Sequence, residues 1–164
     1  MGARPAGALV EPEIPVTFES LDEAALGELA SRVAISLGPG DVVVLSGELG
    51  AGKTTFVRAA ALALGVTDRV TSPTYQLARG YDGLVDGRRV AVNHMDLYRL
   101  EEIEDYDVLE LDDYLKPDAV TFVEWAEPAL GAIENPSLVR IFHETPTTRS
   151  VILEGPVVER LSEC

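Results

Sequence analysis

The segment Gly47-Glu48-Leu49-Gly50-Ala51-Gly52-Lys53-Thr54 restricts what this chain can fold into more than any other. It stands between two stretches of different character. Before it, Asp41 to Ser46 is β-branched and nearly all apolar, as a strand buried on both faces would be. After it, Lys53 to about Leu64 reads as a helix stopped by Gly65. Glycines at 47, 50 and 52 let the backbone curl with its N–H groups facing inward. A side chain at those positions would obstruct the turn or the approach of a phosphate. The start of the helix adds the positive end of its dipole. Strand, Gly-x-x-x-x-Gly-Lys-Thr loop and helix together make a P-loop. In such a loop the backbone from Glu48 through Leu49, Gly50 and Ala51 to Gly52 wraps the phosphates. Lys53 reaches the β- and γ-phosphates, Thr54 ligates magnesium and Thr55 supports the α-phosphate. ATP and Mg2+ are the expected ligands.

The surrounding pattern predicts an α/β fold. Residues 1–14, rich in Gly, Ala and Pro, read as a flexible tail. Residues 15–156 read as a single P-loop NTPase domain with a mixed, mostly parallel central sheet flanked by helices. Residues 157–164 read as a tail or short helix. Pro15 to Phe18 suggests a short strand. Ser20 with Glu23 three residues on makes a capping box for a helix over 21–37, closed by Gly38-Pro39-Gly40. Strands are predicted over 74–82 and 88–96, with Asp82-Gly83 and Asp86-Gly87 as turn signals. Residues 100–116 are acidic with a helical bias. Ala119 to Val123 reads as a buried strand, and Ser137–His143 with Arg149–Glu154 as a hairpin around Pro146.

Composition narrows the setting. With 28 acidic and 13 basic residues the net charge is −15. A phosphate backbone repels such a chain on average, so near nucleic acid a partner is expected to supply the basic surface. The lone cysteine, Cys164, can build neither a disulfide framework nor a zinc site. Apolar runs stay well below the ~18 residues of a membrane span, so no membrane contact is expected. The first ten residues lack the apolar core of a signal peptide, and Ala6 breaks the myristoylation pattern. A cytoplasmic protein is the expectation.

A P-loop ATPase needs a carboxylate at the end of a neighbouring strand to hold magnesium. Asp96 and Glu124 both follow apolar runs, and Glu124 follows the cleaner one. Glu124 is therefore assigned to the metal, directly or through water, and Asp96 to the γ-phosphate as the catalytic carboxylate beside Lys53. His94 either donates to phosphate or is hydrogen-bonded structure, the latter favoured. Trp125 either stacks or joins a partner surface, or else packs at the rim of the core. Arg99 has many acids nearby with which to pair.

The blocks Gly47–Thr55, Ser72-Pro73-Thr74-Tyr75, His94-Met95-Asp96-Leu97-Tyr98-Arg99-Leu100 and Val123-Glu124-Trp125 occur in an order and at separations that resemble the TsaE (YjeE) family of bacterial ATPases. The first block marks only a P-loop; its combination with His-x-Asp-Leu-Tyr-Arg and Val-Glu-Trp is specific. The resemblance spans about residues 17 to 155. It implies ATP hydrolysis in support of TsaB–TsaD, which carry threonylcarbamoyl to the adenosine beside the tRNA anticodon, so that tRNA is met through the complex. It implies that Thr54 and Glu124 hold magnesium, that Asp96 serves hydrolysis and that Ser72-Pro73-Thr74 senses the γ-phosphate. It also implies a late nucleotide contact near Thr148 and Arg149. Where the family often has a threonine in the opening turn of the first helix, this chain has Glu23.

Two other readings fit a P-loop: a small-metabolite kinase, and a nucleotide-gated binding module with little catalysis. Kinases usually add an arginine-bearing lid, and residues 100–145 are poor in arginine. The absence of an evident arginine finger predicts a slow ATPase that depends on a partner.

Overall fold

The computed structural model describes residues 14–48, 50–71, 78–97, 115–125 and 133–162. In chain order these form β1 (Val16–Leu21), α1 (Glu23–Ser36), β2 (Val42–Ser46), α2 (Lys53–Ala63), β3 (Ala78–Val85), β4 (Arg88–Asp96), β5 (Ala119–Glu124), β6 (Ser137–Thr145), β7 (Thr148–Glu154) and α3 (Pro156–Ser162). The strands make one seven-stranded sheet in the order β1-β7-β6-β2-β5-β4-β3. Its middle, β6-β2-β5-β4, is parallel, while β3 and β7 run antiparallel to their neighbours. Mostly parallel strands with antiparallel margins match the expected sheet.

Side-chain alternation along the strands builds two cores. Val43 and Leu45 of β2 join Phe122 of β5 and the buried faces of all three helices. Val44 turns the other way, to Met95, Leu97, Val123 and Ile133. Every residue of β5 is buried, as a parallel strand covered on both faces requires. In α1, Leu26, Leu29, Ala30, Val33 and Ala34 repeat at one helical face. In α2, Phe56, Val57, Ala60 and Ala61 do the same, and Phe56 is fully buried.

The structure corrects two readings of local sequence. The cap of α1 is Asp22, whose carboxylate accepts from the Ala25 N–H at 2.8 Å. Ser20 stays in β1 with φ +56°, and its N–H donates to Glu144 at 2.9 Å. A long-range partner there outcompetes the capping box. Asp82-Gly83 is no turn either: both residues lie inside β3, and the hairpin turns at Asp86-Gly87, both with positive φ. Gly83 is needed because a Cβ there would stand 2.4 Å from the Leu64 carbonyl, where the end of α2 crosses the strand. Across the sheet, Asp41 accepts from the Gly38 N–H at 2.6 Å and pairs with both terminal nitrogens of Arg160, tying α3 to the start of β2.

Candidate functional site

The loop between β2 and α2 opens at the carboxyl ends of the parallel strands, where open α/β sheets take their ligands. Its first residue lies hard against β6: a Cβ on Gly47, at φ +152°, would come within 2.6 Å of the Ile141 carbonyl. Its last, Gly52, caps α2 with φ +116° and has no side chain of its own to accept from the first N–H groups of the helix. The first turn also carries no acidic residue. The positive end of an eleven-residue helix that starts without a capping side chain suits an anion.

Two carboxylates reach the same place from neighbouring strands. Asp96 ends β4 and Glu124 ends β5, directly paired across the parallel ladder. Together with Gly50, Gly52, Lys53, Thr54, Thr55 and Trp125 they line a cleft of about 250 Å³. Glu124 is only 4% exposed. Its Oε2 accepts from His94 Nε2 at 2.5 Å, and His94 is wholly buried. His94 is thus hydrogen-bonded to a site carboxylate, and its Nδ1 has no partner among the described residues.

Lys53 departs from expectation. A P-loop lysine is expected to be exposed when the loop is empty, yet this one is 5% exposed. Its Nζ donates to the Gly47 carbonyl at 2.8 Å and lies 3.9 Å from the centre of the Trp125 ring. The ring stands over the ammonium as a cation–π partner. Trp125 has φ +56°, an uncommon conformation for so large a residue, immediately after the buried strand that delivers Glu124. Contact with a residue more than seventy positions away explains why spacing around Lys53 alone could not reveal its burial.

The other expected site residues are distributed unevenly. Glu48 is exposed and Ala51 fully buried, and neither lines the cleft. Thr148 begins β7 outside the cleft lining, its hydroxyl 2.6 Å from that of Thr145 and donating to Glu144 at 3.1 Å. Leu49, Thr74 with the rest of Ser72–Tyr75, and Tyr98 and Arg99 lie outside the described residues, as does the acidic run from 101 to 114. Arg149 received only a general expectation from sequence. In the structure it donates through Nε to the Ala51 carbonyl at 2.9 Å and through Nη2 to that of Gly50 at 3.4 Å.

Comparison with known proteins gives the family. The family model described as "Threonylcarbamoyl adenosine biosynthesis protein TsaE" matches residues 20–151. The chain belongs to the TsaE family. It is 47% identical over 104 residues to the tRNA threonylcarbamoyladenosine biosynthesis protein TsaE of Streptomyces coelicolor, a match covering 61% of this chain and 66% of that one. It is 38% identical over 112 residues to the TsaE protein of Treponema pallidum, covering 68% and 77%. Against the Bacillus subtilis TsaE protein the match is 45% over 100 residues and spans 58% of the relative's length. The crystal structure of Bacillus subtilis YdiB superposes with a TM-score of 0.72 at 26% identity, over 94% of this chain and 98% of that one. The P-loop, Asp96 and Glu124 all fall inside the stretch that the TsaE family model matches. Among the described residues, no helix is long and apolar enough to cross a membrane.

Proposed function

We propose that this chain binds ATP with magnesium and hydrolyses it as the ATPase subunit that supports a TsaB–TsaD pair in making threonylcarbamoyladenosine beside the tRNA anticodon. The observation that carries this reading is the meeting of the uncapped start of α2, Lys53 and Thr54 with two strand-end carboxylates in one cleft. A triphosphate suits the glycine-lined loop, and Lys53 is near enough to exchange its Gly47 carbonyl for phosphate oxygens. Thr54 and Glu124 would hold magnesium, a hard cation that completes its shell with phosphate oxygens and water. The metal would draw charge from the transferring phosphoryl group. Asp96, beside Glu124 on the next strand, is the residue that would orient the attacking water.

His94 keeps Glu124 in one orientation from within the sheet. Support for the pathway comes from family membership, and support for a cytoplasmic protein from the kind of RNA modification the family serves. The test is ATP turnover by the chain alone and with TsaB–TsaD, with and without magnesium. Slow magnesium-dependent turnover that rises with the pair is expected. No ATP binding by calorimetry would refute the site.

A further inference from the structure

Arg149 lies 98 positions beyond Ala51 in sequence, yet its guanidinium is given over to backbone carbonyls. Nε donates to Ala51 at 2.9 Å and Nη2 to Gly50 at 3.4 Å, both in the phosphate loop. Nη1 donates to Thr145 at 3.1 Å and Thr148 at 2.9 Å, the two residues that flank the β6–β7 turn. One side chain therefore joins the loop to the hairpin behind it. It is not among the residues that line the cleft. We propose that Arg149 is a positioning residue for phosphate binding: it pins the outward carbonyls of the loop so that the loop's amides are set before the ligand arrives.

The physical link is the peptide plane. In a trans peptide the C=O and the following N–H point in opposite directions, and no described peptide is cis. Holding the Ala51 carbonyl toward Arg149 turns the Gly52 N–H away from it, and Gly52 is a cleft residue. Holding the Gly50 carbonyl does the same for the Ala51 N–H, which closes the loop on the Glu48 carbonyl at 3.0 Å. At its other end the loop abuts β6 where Gly47 meets the Ile141 carbonyl. The β6–β7 hairpin thus fixes the loop at both ends, and Arg149 supplies the fixed point nearer the helix. Glycines make the loop flexible, so a brace of this kind removes conformational freedom that binding would otherwise have to remove. A guanidinium suits the task because its planar fork reaches several acceptors at once, which a lysine cannot do.

This inference rests on the cleft being a nucleoside triphosphate site, and the experiment separates the two. Dissociation constants for ATP and for inorganic triphosphate, with magnesium, are measured by calorimetry on the wild type, Arg149→Met and Arg149→Lys, together with KM and kcat. Both ligands are expected to bind about tenfold more weakly to Arg149→Met, in parallel, with KM raised and kcat at saturating ATP within about twofold of wild type. Arg149→Lys, with one charged donor left, is expected to fall between. Amide exchange at Gly50, Ala51 and Gly52 is expected to quicken while that of β2 and β5 is unchanged, a readout that Arg149→Lys gives even if the methionine variant folds poorly. Four outcomes overturn the brace: wild-type affinities in both variants; weaker ATP binding with unchanged triphosphate binding, which marks a direct base or ribose contact; lower kcat at unchanged KM, which marks lost folded protein; or unchanged exchange in the loop. A wild type that binds neither ligand refutes the site itself.

Discussion

On the proposed reading Lys53 would combine two tasks, and substitutions can divide them. In the proposed site its ammonium would be the cation offered to phosphate, while the side chain is buried with Nζ against the Trp125 ring. Lys53→Met keeps the stem and removes the charge. It is expected to weaken ATP binding by roughly ten- to over a hundredfold, from a charge-assisted contact of ~1.5–3 kcal/mol, with little change in melting temperature. Lys53→Ala is expected to lose the same affinity and also melt earlier, because it empties a buried site. Calorimetry and thermal melts of both variants check this; equal affinity in wild type and methionine variant would remove Lys53 from the phosphate site. Glu124→Gln keeps an acceptor for His94 but loses the charge that magnesium prefers. It is expected to need more magnesium for turnover while binding nucleotide nearly normally. A magnesium titration of the rate identical to wild type would move the ligand role elsewhere, to Asp96 first.

The helix that carries Lys53 and Thr54 has Phe56, fully buried one turn into α2, as its largest core side chain. Phe56→Ala is expected to cost ~3–5 kcal/mol, and denaturant unfolding measures it directly. The Asp41 clamp is smaller, since Arg160 is partly exposed; removing Asp41 also frees the Gly38 N–H. Asp41→Ala is expected to cost ~1–2 kcal/mol, more than Arg160→Ala, as the order of the two melting temperatures reveals. Such elements were readable from sequence where one chain segment determines them. The apolar stripes of α1 and α2, the largely apolar run of β5 and the turn at Asp86-Gly87 each follow from neighbours a few residues apart. The features that local sequence did not reveal depend on distant neighbours. Ser20 answers to Glu144, Gly83 to Leu64, Lys53 to Trp125 and Arg149 to the loop nearly a hundred residues before it. Asp96 and Glu124 were singled out because each ends an apolar run; that they sit side by side is a matter of strand order, which no local pattern encodes.

Charge and catalysis are linked in the molecule as a whole. Among the described residues the cleft lining offers Lys53 as its one cation and no arginine of the kind that adds ~10³–10⁵ to the rate of P-loop enzymes. The isolated chain is accordingly expected to turn over slowly. A net charge of −15 favours a basic surface on the partner, and such attraction weakens as salt screens it. Complex formation with TsaB–TsaD is expected to be tighter at low salt and to differ between an ATP analogue, ADP and no nucleotide. Binding that is the same in all three states and indifferent to salt would exclude both nucleotide control and electrostatic docking.

The ring above Lys53 belongs to the one tryptophan among 164 residues. The protein therefore carries its own optical probe at the mouth of the phosphate loop. Indole emission responds to a charge held against its face, and a triphosphate that draws the ammonium away alters that field. Titration with ATP and magnesium is expected to shift or rescale the ultraviolet fluorescence in a saturable way, without any label. Trp125→Phe should abolish the signal, and a spectrum unmoved at saturating nucleotide would mean that lysine and indole keep their contact throughout.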